Sequence, residues 1–178
     1  MLELIHSDVC GPLNQQARGG YEYFVTFTDD YSRYGFVYLL KHKSETFNVF
    51  KVFRALVEKQ TGKVIKTLRS DRGGEYMSGE FDDFLEEEGI ASQLTAPGTP
   101  QQNVVSERRN RTLMEMVRSM MSCSSLLPSF WGYALETAAY SLNQVPSKTV
   151  PGVGIDLGFK KKFNASVSGR ILKIFFYK

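Results

Sequence analysis

The apolar residues of this chain change their spacing near residue 44, and this change limits the folds available to it. Before that point, three short runs rich in aromatic and β-branched residues follow one another: LELIHSDV, YEYFVTFTDDY and YGFVYLLK. Turn-forming residues separate these runs, so the pattern predicts three strands in an antiparallel meander. After that point, helical patterns alternate with two more strand-like runs, VIKTLRSD and IASQLTA. This order predicts a mixed sheet with helices packed on it.

Four segments have the apolar spacing of helices. The first begins at Ser44, which we interpret as its N-cap, and the second is an acidic segment over residues 78–89. A long third helix begins near Gln102 and carries a stripe rich in methionine and leucine, and the fourth opens at Pro128. We interpret the methionine stripe and Trp131 as parts of the core, because their spacing places them on buried faces.

Length and charge restrict the class of protein. A chain of 178 residues, 42% of them hydrophobic, fits one globular domain, and no stretch approaches the roughly 20 apolar residues that cross a membrane. The net charge is +3, but residues 148–178 hold seven Lys/Arg and one acid. Residues 1–147 therefore hold 15 bases and 18 acids, a net charge of −3. Any contact of this body with nucleic acid must come from local clusters of bases.

The two cysteines favour an intracellular protein. Cys10 and Cys123 lie far apart and lack the paired spacing of a zinc site. A disulfide between them stays open as an alternative, but two reduced thiols suit a reducing compartment. The N-terminal MLELIHSDVCG carries an acid where a secretory signal carries positive charge, so we see no targeting signal.

Two acids end predicted strands. Asp8 closes the first apolar run just before Gly11-Pro12, and Asp71 closes VIKTLRSD just before Gly73. Sites in open α/β sheets lie at the carboxyl ends of strands, so both positions suit a functional carboxylate. A solvated role at a turn is the alternative for either acid alone.

A third acid, Glu107, lies in the first turns of the long helix. Taken alone, it is explained by the favourable interaction of an acid with the N-terminal end of the helix dipole. Three carboxylates brought together from two strand ends and a helix would repel one another unless cations neutralised them. Oxygen ligands without a His or Cys cluster favour magnesium or manganese over zinc.

Three motifs of the chain resemble a known family. HSDVCGP, RSDRGGEY and TPQQN followed by ERRNRTL resemble the signature blocks of copia-type retrotransposon integrases. The 35 residues between Asp71 and Glu107 match the spacing of the Asp-Asp-Glu triad in retroviral and retrotransposon integrases. The resemblance covers residues 1–149 and includes FTDDYSRY, EFDDFLEEEGI and LPSFWGYALETAAYSLNQVPSK.

This resemblance implies an α/β fold of the ribonuclease-H-like type, a five-stranded mixed sheet flanked by helices. It implies 3′-end processing and DNA strand transfer with two Mg²⁺ or Mn²⁺ ions, which Asp8 would bridge and which Asp71 and Glu107 would complete. The partners would be double-stranded DNA, as element ends and as target, and further copies of the chain. The place of action would be the nucleus, with no role for a membrane.

Further residues are candidates for contacts with DNA. Gln101, Gln102 and Asn103 resemble the family's loop and helix start, with an N-cap role for Asn103 as the alternative. Three basic residues follow Glu107 on the same helix: Arg108, Arg109 and Arg111. At least one of them should face the site and bind a phosphate; the alternative is that they form a solvated helix face with salt bridges. His6 shares a strand face with Asp8, either supporting the site or simply packed and hydrogen-bonded.

Three departures from the family pattern keep other functions open. Val104 stands where the family carries Gly, which stiffens the segment before Glu107. Residues 150–178 do not match the family's continuation, so we predict a core over 1–149 and a degenerate tail that packs poorly. No zinc-binding His/Cys domain precedes the core, which suggests an internal fragment of a polyprotein. A catalytically silent relic that binds nucleic acid or protein is therefore the main alternative, and a ribonuclease-H-like nuclease is the second.

Overall fold

The computed structural model describes residues 1–95 and 104–145. Within them the strands are β1 (Leu4–Cys10), β2 (Tyr23–Asp29), β3 (Gly35–Leu40), β4 (Thr67–Ser70) and β5 (Ala91–Leu94). The helices are α1 (Thr46–Thr61), α2 (Gly79–Glu87), α3 (Val104–Ser122) and α4 (Trp131–Gln144). All five predicted strands and the four predicted helices are present, and the long helix predicted from Gln102 is described from Val104 onward.

The helix ends follow local chemistry, with one correction. Ser78 caps α2, because its hydroxyl accepts a hydrogen bond from the backbone amide of Phe81 at 3.4 Å. Gly62 ends α1 with a left-handed φ of 68°, which glycine adopts without strain. Ser44 is not the N-cap of α1, as its spacing predicted: it lies in a 3₁₀ turn, and Glu45 is the residue that precedes the helix. The Glu45 carboxylate accepts from the amide of Lys41 at 2.8 Å and so stabilises this tighter start.

The sheet order is β3-β2-β1-β4-β5. β1, β2 and β3 form the predicted antiparallel meander, whereas β4 and β5 join parallel to β1. The mixed sheet is therefore confirmed. Because β1 and β4 are parallel neighbours, their carboxyl ends lie at the same edge of the sheet, and this edge receives Asp8 and Asp71.

The helices cover the two faces of the sheet. α1 and α2 pack on one face, where Phe27 stacks on Phe53 with ring centroids 4.5 Å apart and Phe50 meets Phe81 at 5.3 Å. All four rings are almost completely buried. Removing each ring from water contributes about 2–3 kcal/mol, so this aromatic cluster fixes the two helices on the sheet.

α3 and α4 pack on the opposite face around Phe24, Leu113 and Leu135. Trp131 is 5% exposed, so its interpretation as core is confirmed, whereas the methionines of α3 are only partly buried and pack against the edge of this cluster. The Trp131 indole Nε1 donates to the carbonyl of Gln15 at 2.7 Å, which attaches the loop after β1 to α4. Among the described helices, none combines the length and apolar character needed to cross a bilayer.

Candidate active site

Asp8 lies on β1 and points toward α3. Its backbone pairs with Thr26 of β2, and its side chain is partly buried. The Asn110 amide Nδ2 donates to Asp8 Oδ2 at 2.8 Å, and Asn110 Oδ1 accepts from the Thr26 hydroxyl at 2.9 Å. Asn110 is 5% exposed, so its two hydrogen bonds are shielded from water. One side chain of α3 thus holds the Asp8 carboxylate and joins the helix to two strands.

The sequence analysis did not single out Asn110, although a signal for it was present. Asn110 lies three residues after Glu107 and three before the buried Leu113, so helical spacing places it between the candidate site and the core. A polar residue on the buried face of a helix needs a polar partner. Asp8 and Thr26 are those partners.

Asp71 follows β4 directly and begins a tight turn. Its Oδ1 accepts from the Gly73 amide at 3.0 Å, the local hydrogen bond that favours Asp at turns. The parallel pairing of β4 with β1 brings this turn beside the end of β1. Its negative charge acts on Asp8, so the two carboxylates are neighbours at the same edge of the sheet.

Glu107 lies in the first turns of α3 and is exposed to solvent. Its charge also acts on Asp8. The charges of Asp71 and Glu107, the other two predicted acids, therefore both act on Asp8. Their position follows from the parallel β1–β4 pair and from the packing of α3 on β1 and β2.

The environment of Asp8 disfavours its ionised form. Burial is the largest cause, the negative charge of Asp71 adds to it, and Glu107 and Glu75 contribute less, so that the pKa of Asp8 rises to about 7. The hydrogen bond from Asn110 opposes this rise. A bound cation would stabilise the ionised form of Asp8 and reduce its repulsion with the neighbouring carboxylates.

Glu75 is a fourth acid in this region, and the sequence analysis missed it. Its side chain is 7% exposed, and the ammonium of Lys43 lies 3.7 Å from its Oε1. The next residue, Tyr76, is 2% exposed and shares a 2.5 Å hydrogen bond with the Ser7 hydroxyl. Burial raises the pKa of Tyr76 well above its ordinary value, so this phenol stays protonated. The segment after Asp71 is thus packed beneath the site, and the motif RSDRGGEY carried the only sequence signal for it.

The donor chemistry fits a hard divalent cation, because the acids here offer only oxygen ligands. Burial and mutual repulsion at Asp8 also favour neutralisation by a cation. Across residues 1–95 and 104–145, however, no group of three or more His, Cys, Asp or Glu side chains is arranged as a ready ligand set. Convergence of Asp8, Asp71 and Glu107 on a metal therefore stays a prediction.

The three arginines after Glu107 divide into two kinds. Arg109 is 8% exposed, and its guanidinium donates to the carbonyl of Arg33 at 2.9 Å and to Asn143 Oδ1 at 2.6 Å. We therefore withdraw Arg109 as a DNA contact, because it is buried and both of its Nη groups donate to protein acceptors in the interior. Arg108 and Arg111 are exposed and stay candidates. Gln101, Gln102 and Asn103 lie outside the described residues, as does the segment 150–178.

His6 is packed and hydrogen-bonded, which was the simpler of its two interpretations. It is 1% exposed, and its Nε2 lies 2.8 Å from Asp30 Oδ1. Burial lowers its pKa, although the bond to Asp30 opposes the shift. The cysteines also stay apart: Cys10 and Cys123 are free thiols.

Solved structures define the class of fold. A chain in the intasome of simian T-cell lymphotropic virus superposes with a TM-score of 0.63 and 19% identity, covering 80% of this chain and 49% of that one. The HTLV-2 integrase catalytic core domain, solved in complex with magnesium in a trimeric form, gives a TM-score of 0.60 and 18% identity, covering 85% and 90%. The fold is that of retroviral integrase catalytic cores, which is ribonuclease-H-like, as expected.

Sequence comparison then gives the family. Residues 1–100 match the family model "Integrase core domain", and the chain belongs to this family. It is 49% identical over 175 residues to the retrovirus-related Pol polyprotein from transposon TNT 1-94 of Nicotiana tabacum. It is 35% identical over 175 residues to that from transposon RE2 of Arabidopsis thaliana. These matches cover 98% of this chain but only 13% and 12% of the two relatives. The resemblance to copia-type integrases is confirmed.

Proposed function

We propose that this chain is the catalytic core of a retrotransposon integrase, which trims DNA 3′ ends and joins them to target DNA. The observation that carries the proposal is the group of interacting carboxylates where β1, β4 and the first turns of α3 meet. Asp8, Asp71 and Glu107 would hold two Mg²⁺ or Mn²⁺ ions there. Bound ions of this kind activate an attacking oxygen and stabilise the leaving one at a phosphodiester.

The residues of the chain have separate tasks in this proposal. Asn110 holds the Asp8 carboxylate in place through its 2.8 Å hydrogen bond, so this ligand does not have to be ordered when the ions bind. The turn after β4 does the same for Asp71 through the Gly73 amide. Arg108 and Arg111 are exposed on the helix that carries Glu107, and we propose that they, with Gln101, Gln102 and Asn103, contact the DNA backbone.

The relatives support this proposal through what their names state. One similar structure is an intasome, and another is a catalytic core with magnesium in a trimeric form. We extend to this chain the use of magnesium or manganese, action on double-stranded DNA in the nucleus, and self-association. We also propose that the core ends near residue 149, although the matched 175 residues extend beyond it.

Metal response provides the first test. Adding Mn²⁺ or Mg²⁺ should raise the thermal midpoint of the full chain, because ligand binding to the native state adds about 2.7 kcal/mol at 100 times the dissociation constant. The triple variant Asp8→Asn, Asp71→Asn, Glu107→Gln should be more stable than the wild type without metal and should not respond to it. A wild type that ignores both ions would rule out the two-metal mechanism.

A branched DNA that mimics the strand-transfer product provides the second test, since its resolution requires little recognition of DNA ends. We expect metal-dependent cleavage by the wild type and none by the triple variant. Val104→Gly and a chain ending at residue 149 should raise the activity, because the first frees the segment before Glu107 and the second removes the basic tail. Metal binding without cleavage in these forms would favour the silent relic. Preferential cleavage of RNA–DNA hybrids would favour the nuclease.

A further inference from the structure

Arg109 is a buried cation without an acidic partner in the described structure. It is 8% exposed, and across residues 1–95 and 104–145 no carboxylate lies within salt-bridge distance of its guanidinium. Burial lowers its pKa to about 10. An unpaired charge inside a protein costs several kcal/mol unless polar groups solvate it, whereas an apolar side chain at this position would carry no such cost.

Three segments of the chain accept hydrogen bonds from the two Nη groups of this cation, while its buried Nε has no partner within the described residues. The guanidinium donates to the carbonyls of Arg33 and Gly35 at 2.9 and 3.4 Å, and to Asn143 Oδ1 at 2.6 Å. Asn143 in turn donates through Nδ2 to the Gly35 carbonyl at 2.8 Å and accepts from the Gly35 amide at 3.0 Å. We call Arg109, Gly35 and Asn143 the Arg109 cluster. It joins α3 to the start of β3 and to the last turn of α4.

Gly35 is part of this cluster because it has no side chain. A Cβ atom at position 35 would overlap Nε, Cζ and Nη2 of Arg109. The guanidinium therefore occupies the space that any other residue at position 35 would fill. This contact makes the position of Arg109 sensitive to a single methyl group on a different element.

The cluster also fixes the rotation of α3. Glu107 and Arg109 are two residues apart in a helix of 3.6 residues per turn, so they lie on nearly opposite sides of α3, with Arg109 buried and Glu107 exposed. Asn110, which is also buried, is bound to β1 and β2. With Asn110 held on the sheet and Arg109 held on the side away from Glu107, the first turns of α3 cannot rotate without breaking the hydrogen bonds of both residues.

We propose that the Arg109 cluster positions Glu107 for metal binding, with Arg109 as a positioning residue that never contacts the ions or the DNA. The inference rests on the proposed function, because it takes Glu107 as a metal ligand. If the inference is correct, substitutions at Asn143 and Gly35, which lie outside the group of acids, should change how tightly that group binds metal.

Three variants break the cluster from three elements. Arg109→Met removes the guanidinium, Asn143→Ala removes its side-chain acceptor, and Gly35→Ala displaces it without altering either partner. Arg109→Lys keeps the charge but not the forked donors, so its effect should be intermediate. The matched control is Trp131→Phe, which removes one hydrogen bond between α4 and a loop but leaves the first turns of α3 untouched.

Two measurements on the full chain test the proposal. The first is the Mn²⁺ concentration at half-maximal thermal stabilisation, which should rise at least about fivefold in Arg109→Met, Asn143→Ala and Gly35→Ala, and less in Arg109→Lys. Trp131→Phe should lower the thermal midpoint yet leave the Mn²⁺ midpoint unchanged. The second is amide hydrogen exchange without metal, which should accelerate at least about tenfold over residues 104–110 in the three variants and not in the control.

The outcomes separate the positioning role from a merely structural one. The proposal is overturned if the Mn²⁺ midpoints of the three variants match that of the wild type, or if the control shifts its midpoint as much as they do. If the wild type itself does not respond to Mn²⁺, the proposed function fails. Amide hydrogen exchange alone then tests whether the cluster holds the first turns of α3. Faster exchange confined to the three variants would still show that the cluster holds the first turns of α3, and equal exchange would refute that as well.

Discussion

Replacing Asp8 with Asn removes a carboxylate whose surroundings oppose its charge while keeping its shape. Asn at this position still offers an oxygen to the Asn110 amide, so the 2.8 Å hydrogen bond can persist. Folding raises the pKa of Asp8 from 3.8 to about 7. Between pH 3.8 and about pH 7, the folded protein therefore keeps a proton on Asp8 that the unfolded chain has released. It follows that the wild type has its full stability below about pH 4 and loses part of it as the pH rises through 7.

The size of this loss follows from the shift in pKa. One pKa unit corresponds to about 1.4 kcal/mol, so a shift from 3.8 to about 7 sets an upper limit of about 4 kcal/mol. About two units of this interval lie above pH 5, which leaves at most about 3 kcal/mol to be lost between pH 5 and pH 8. Since Asp8 keeps some contact with solvent, we expect a loss of about 1–2 kcal/mol.

Urea denaturation in EDTA at about pH 5 and pH 8 measures this difference. The free energy of unfolding of the wild type should fall relative to that of Asp8→Asn as the pH rises, and the variant should be the more stable protein at pH 8. Asp83→Asn is the control, because Asp83 is an exposed acid on α2. Saturating Mn²⁺ should reverse the order at pH 8 by stabilising only the wild type. Parallel pH profiles for the wild type and Asp8→Asn would refute the argument that burial and neighbouring acids oppose this charge.

Two further predictions concern buried hydrogen bonds near the site. Asn110→Ala should destabilise the chain by about 1–3 kcal/mol in chemical denaturation, because Asp8 loses the donor to its Oδ2 and the Thr26 hydroxyl keeps only a 3.5 Å hydrogen bond to the Asp8 carbonyl. It should also weaken stabilisation by Mn²⁺, and an unchanged metal response would contradict the role given to Asn110. Tyr76→Phe should cost about 1–2 kcal/mol because the Ser7 hydroxyl loses its partner. In a double-mutant cycle, Ser7→Ala should then cost little in the Tyr76→Phe background, and fully additive losses would show that the two hydroxyls do not interact.

The sequence by itself determined the order and kind of the elements. Alternation of apolar residues predicted the strands, and spacing of three and four predicted the helices, because burial of one face imposes these periods on the chain. The same local signals placed Asp71 at a strand end and Glu107 at a helix start, whereas Asp8, which was predicted to end its strand, lies within β1, two residues before Cys10. That these three acids belong together came from the resemblance of the motifs and from the 35-residue spacing. No local pattern states which strand ends are neighbours.

Only the tertiary structure decided what each polar side chain of α3 contacts. Four consecutive residues, Glu107 to Asn110, are all polar in the sequence. In the structure Glu107 and Arg108 are exposed, Arg109 is buried, and Asn110 donates to Asp8. Arg109 lies four residues before the buried Leu113, so helical spacing predicts that it is buried, which is unexpected for a charged side chain. The structure explains its burial, because Gly35 and Asn143 accept hydrogen bonds from the guanidinium. Those partners are 74 and 34 residues away along the chain. A helix period fixes which side of a helix is buried, whereas the groups it meets depend on how distant segments pack.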